Sequence, residues 1–129
     1  MMIAYLLKRI LWVDCLGAIA TGLTMLLASG WLSEFYSLPV GFVVGHAFVH
    51  LIYGSYSFSL AVRKLRPIGL LYLLIVANAA WACFCVVFAM TIIGTASVFA
   101  VLHFALEGIY VGLLAVIEWK LRELLREGY

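Results

Sequence analysis

Residues 67–106 read PIGLLYLLIVANAAWACFCVVFAMTIIGTASVFAVLHFAL, a run with no lysine, arginine, aspartate or glutamate. One helical crossing of a bilayer takes about 20 apolar residues at about 1.5 Å each, so the run is about twice too long for a single span. It has to turn near its middle. The stretch Thr91-Ile92-Ile93-Gly94-Thr95-Ala96-Ser97 is the place, because Gly94 can leave a helix and Ser97 can cap the next one. Pro67 opens the first of the two helices, where a missing N–H costs nothing.

Upstream, two further apolar stretches precede this run, and Ser37-Leu38-Pro39 separates them. The chain therefore reads as an all-α membrane protein, a four-transmembrane-helix bundle. Its spans fall at about 10–32, 40–62, 68–93 and 97–117, followed by a helical tail over 118–129. Residues 1–129 form a single transmembrane domain. The composition agrees, with 67% apolar and only 11% charged residues; a soluble domain needs far more charge to cover its surface. The N-terminal apolar run continues to Trp31 without a convincing cleavage site, so it is expected to be retained as the first span.

The eight basic residues are Lys8, Arg9, Arg63, Lys64, Arg66, Lys120, Arg122 and Arg126. Four spans place all of them on one side, which the positive-inside rule makes the cytoplasm. Both termini are then cytoplasmic, N-in and C-in. Trp31, Phe35 and Tyr36 mark the outer interface, and Trp12 and Trp119 the inner one. The net charge of +2 comes from flanking clusters, which form no stripe that could track phosphates, so no nucleic acid is expected. Cys15, Cys83 and Cys85 make no metal or disulfide pattern and read as small packing residues. In the tail, Glu118 and Arg122 are spaced as a favourable i,i+4 pair, and Glu123 and Glu127 as a mildly repulsive one.

Ionisable residues inside lipid are costly and face the bundle interior. On span two, His46, His50 and Tyr53 follow i, i+4, i+7; on span four, His103, Glu107 and Tyr110 do the same. The topology brings His46 level with His103 and His50 level with Glu107. Facing each other, the stripes form a polar seam. Its structural reading is interhelical hydrogen bonding. Its functional readings are a metal held by His46, His50, His103 and Glu107, a haem b with two axial histidines, or a proton path. A second polar pair, Asp14 and Asn78, lies lower; Asp14 is expected to reach toward Lys8, the basic loop or Lys120. Gly41 with Gly45, and Gly108 with Gly112, form two GxxxG helix-packing pairs. An offset of 57 residues pairs His46 with His103, His50 with Glu107, Tyr53 with Tyr110 and Arg63 with Lys120, a faint repeat that suits duplication of a helical hairpin.

Asp14, Leu38-Pro39, Asn78 with Trp81, and Glu118-Trp119-Lys120 together resemble a group of small four-span bacterial inner-membrane proteins with no assigned activity. The resemblance implies the location and the fold. The His46, His50, His103 and Glu107 seam lies outside that pattern. The leading expectation from sequence is an accessory or structural subunit of a larger membrane complex or homo-oligomer. The alternative is a metal-, haem- or proton-handling binding or transport protein that uses the seam. No nucleophile–base pair marks an enzyme.

Overall fold

A computed structural model describes residues 2–128. The described residues form α1 (Met2–Lys8), α2 (Ile10–Leu27), α3 (Ser29–Tyr36), α4 (Val40–Ala61), α5 (Ile68–Thr91) and α6 (Val98–Leu125), with no strand among them. Helices α2, α5 and α6 are each long and apolar enough to cross a bilayer, and α4 joins them when taken together with α3, from which it turns by 119°. The apolar character of α4 is diluted by His46, His50 and three serines.

The helix ends follow from local chemistry. Gly94 takes a φ of 82°, which ends the α5 side of the turn. Ser97 caps α6, its hydroxyl accepting from the Ala100 N–H at 3.3 Å. Pro39 and Pro67 sit one residue before α4 and α5, with ψ of 138° and 133°, rather than inside the first turn. The expected first span, 10–32, is divided. Ala28 has non-helical angles (φ −101°, ψ 18°), next to the weak helix formers Ser29 and Gly30. Helical hydrogen bonds still cross the break, from Ala28 N–H to Thr24 at 3.0 Å and from Leu32 N–H to Ala28 at 2.8 Å. The helical tail extends the fourth helix, and α6 runs unbroken from Val98 to Leu125.

Helix α2 packs closely along α4, and α5 along α6; the backbones of these two hairpins lie farther apart and are joined through side chains. Small residues allow the close approach within each hairpin. A Cβ on Gly54 would lie 2.7 Å from the Ile19 side chain, and one on Gly108 would lie 3.3 Å from the Ala82 carbonyl. Gly112 also faces α5, with Ala82 at 3.6 Å, whereas a Cβ on Gly41 or Gly45 would meet no atom of the described residues within 4 Å beyond its own stretch of helix. Of the two expected GxxxG pairs, only Gly108 and Gly112 pack inside the chain.

Two apolar cores close the bundle at its ends. Met25, Val43, Ala47, Cys85 and Phe104 belong to the one nearer the Gly94 turn. Leu11, Leu60, Leu71, Leu74 and Leu125 belong to the other. At that second end the basic loop meets the C-terminus. The Lys64 carbonyl accepts from Gly128 N–H at 2.6 Å, and buried Arg66 donates to the carbonyls of Leu60, Ala61 and Leu125 at 2.6, 3.0 and 2.8 Å. These carbonyls lie at the ends of α4 and α6, where helical partners run out. At the opposite end, Ser97 N–H donates to the Tyr36 carbonyl at 3.0 Å. The polar residues lie between the two cores.

Candidate functional site

The upper polar cluster is built around Glu107 of α6. Its Oε1 lies 2.6 Å from His50 Nε2 and accepts from Trp81 Nε1 at 2.8 Å. Its Oε2 lies 2.9 Å from His103 Nε2 and 3.2 Å from His46 Nε2. Both hairpins contribute, since His46 and His50 stand one turn apart on α4 while Trp81 is on α5. Tyr36, from α3, contacts His103 Nδ1 at 3.0 Å. His46 is 4% exposed and His50 7%. Phe42, Phe104 and Trp81 surround the His46 ring.

One distance does not fit plain hydrogen bonding. His46 Nε2 and His50 Nε2 are 3.1 Å apart while both point at Glu107. If each ring donates its Nε2–H to the carboxylate, two N–H groups are pressed together. If one ring turns a lone pair to the other, it gives up its bond to Glu107. A cation receiving lone pairs from both imidazoles and from the carboxylate removes the conflict. Ligand atoms bound at about 2.0–2.1 Å in a tetrahedral site stand roughly 3.3 Å apart. The 3.1 Å and 3.2 Å separations of His46 Nε2 from His50 Nε2 and Glu107 Oε2 match that edge.

The ligand atoms of His46, His50 and Glu107 all lie within 4.8 Å of one another. The fourth expected ligand, His103, stays outside this set and instead bonds Glu107 Oε2. Held by Tyr36 on its other nitrogen, it orients the carboxylate rather than completing the convergent set. A bis-histidine haem needs a porphyrin plane between its two axial nitrogens. Here the Nε2 atoms of His46 and His103 both meet Glu107 Oε2, at 3.2 and 2.9 Å, so a carboxylate fills the space a porphyrin would need between them.

The expected stripes divide at their lower ends. Tyr53 turns away from Glu107 and donates to Asp14 Oδ2 at 2.5 Å. The Tyr110 hydroxyl lies over Gly17 on α2, where a Cβ would stand 2.9 Å from it. Asp14 does not take the expected basic partner among its hydrogen bonds. Its Oδ2 also accepts from Ser57 at 3.2 Å and Asn78 at 3.4 Å. Asn78 Nδ2 donates as well to Glu118 Oε2 at 2.9 Å. Glu118 is completely buried, not paired with Arg122 in a solvated tail. Arg122 bonds the Trp119 carbonyl and lies over the Trp119 ring. In the tail, Glu123 meets Arg126 at 3.4 Å.

Sequence reading missed Trp81, Tyr36 and Glu118 as members of these clusters. For Trp81 a signal existed, since it stands one turn from Asn78 on the same face of α5. For Glu118 the signal was its place eleven residues after Glu107, three helical turns along one face. Nothing local pointed to Tyr36, whose position depends on the 119° turn after α3.

A cavity of about 190 Å³ joins the two clusters. His50, Trp81 and Glu107 line one end, and Asp14, Tyr53 and Asn78 line the other. Its lining comes from both hairpins. No protein-family model, curated protein or solved structure matches this chain.

Proposed function

We propose that this chain is an integral membrane protein of four spans, with both termini in the cytoplasm, that binds one divalent transition-metal ion at the centre of its bundle. His46 Nε2, His50 Nε2 and one oxygen of Glu107 are the ligands. His103 and Trp81 hold the carboxylate, and Tyr36 holds His103. The observation that carries this reading is the 3.1 Å approach of two imidazole nitrogens that both face one carboxylate. Two imidazoles and a carboxylate form a set that suits zinc or ferrous iron and leaves a position open to a further ligand.

The membrane reading is supported by the apolar residues on the outside of the bundle. Leu16, Ile52, Val76, Leu106 and Ile109 are all more than half exposed, as lipid-facing positions are. The four-span count and the inward termini rest on the basic residues. Arg63–Arg66 and the chain's C-terminal end meet at one end of the bundle, and the Gly94 turn lies at the other.

The metal reading is tested on the purified chain in detergent. After chelation and reloading, bound zinc is counted by elemental analysis and its affinity is measured by competition with a chromophoric chelator. One ion per chain supports the proposal. Binding that is substoichiometric, or unchanged by His50→Ala, removes it.

A further inference from the structure

The lower cluster holds two carboxyl groups that the metal centre does not use. Asp14 is the only aspartate of the chain. It is 3% exposed and Glu118 is 0% exposed. Both bond the same amide nitrogen of Asn78, at 3.4 and 2.9 Å, which makes the two carboxyls neighbours. Two carboxylates so placed in a low-dielectric interior cannot both be ionised.

The donors are shared unequally. Asp14 Oδ2 faces three, from Tyr53, Ser57 and Asn78. Glu118 receives one, from Asn78 on Oε2, while its buried Oε1 meets none. A buried carboxylate oxygen without a donor is costly, whereas a carboxylic acid can use that oxygen to donate.

We propose that Asp14 and Glu118 form a second site that holds one exchangeable proton. The proton resides on Glu118 and is donated to Asp14. Asp14 remains the ionised acceptor because three groups already donate to it. The other titratable groups facing the pair are Cys15 on α2, Tyr53 on α4 and Tyr110 on α6; Arg122 follows Glu118 by one turn on α6, and α5 contributes the neutral Asn78. The cavity reaching Asp14 and Asn78 gives the proton an exchange route. Its volume of about 190 Å³ is far above the roughly 10–15 Å³ that one water needs. This site does not depend on a metal at Glu107.

Infrared spectroscopy of the full chain in lipid nanodiscs tests the proposal. At neutral pH the spectrum should contain a protonated-carboxyl C=O band that shifts in D₂O. It should move on 13C labelling of glutamate but not of aspartate, and persist in Glu107→Gln. Glu118→Gln should abolish it, since the glutamine amide can donate to Asp14 in place of the acid. Absence of the band, its movement with labelled aspartate, or its survival in Glu118→Gln would overturn the assignment. So would loss of the band on raising sodium at constant pH, which would make the occupant a metal cation. If Glu118→Gln does not fold, the labelling of the unaltered chain still decides.

Discussion

His50 Nε2 lies 2.6 Å from Glu107 Oε1, and the two residues stand on different helical hairpins. Between the two apolar cores, which also join the hairpins, the polar cluster ties one hairpin to the other. Whatever occupies the cluster therefore bears on how the two halves of the bundle sit. A metal bound there would bind the folded chain in preference to the unfolded one and stabilise it by mass action. Thermal unfolding should accordingly rise with added zinc, and the rise should vanish in Glu107→Gln.

The residues behind the ligands should matter by a graded amount. Removing an outer partner of a metal ligand typically costs about 10–100-fold in affinity. His103→Ala and Tyr36→Phe should each weaken zinc binding by about that range without changing the stoichiometry. The two changes together should cost less than the product of the single effects, because Tyr36 acts through His103. A chelator competition series on the three variants checks this, and strictly multiplicative effects would count against the assigned roles.

Glycine positions separate packing inside the chain from packing outside it. Gly54→Val places carbon against Ile19, where even a Cβ would come within 2.7 Å. Overpacking of this kind costs about 1–3 kcal/mol, so the variant should unfold at lower temperature or denaturant. A Cβ at Gly41 meets no atom of the described residues within 4 Å beyond its own stretch of helix, so Gly41→Val should leave monomer stability within about 0.5 kcal/mol. Equal destabilisation of both would contradict the described hairpin packing.

The proposed sidedness rests on the basic residues and is open to direct measurement. In a chain with Cys15, Cys83 and Cys85 replaced, a cysteine at Lys64 should react with an impermeant maleimide only in inside-out vesicles. A cysteine at Glu34 should react only in right-side-out ones. The reversed pattern would place the termini outside.

Much of the helical layout was readable because it depends on local chemistry. Gly94 and Ser97 had to make a turn within an uncharged run too long for one crossing, and they do. The level of His46, His50, His103 and Glu107 followed from helix direction alone, and these four side chains do meet. What was not readable depends on helix rotation and on the angles between elements. Tyr53 and Tyr110 share the spacing of the seam but point into the lower cluster. Asp14 looked as if it would seek a cation, because spacing cannot show that Tyr53, Ser57 and Asn78 offer donors closer at hand. Glu118 looked like part of a solvated tail because its neighbours in sequence are charged. The unbroken α6 carries it three turns down the same inward face as Glu107.

The measurement that bears most directly on the metal assignment is X-ray absorption at the zinc edge of the reloaded protein. The proposed metal site predicts one zinc per chain in a nitrogen and oxygen shell at about 2.0–2.1 Å, with multiple-scattering features of two imidazoles that fall to one in His50→Ala. A zinc shell containing sulfur, a shell with no imidazole signature, or a spectrum identical in His50→Ala and Glu107→Gln would contradict it.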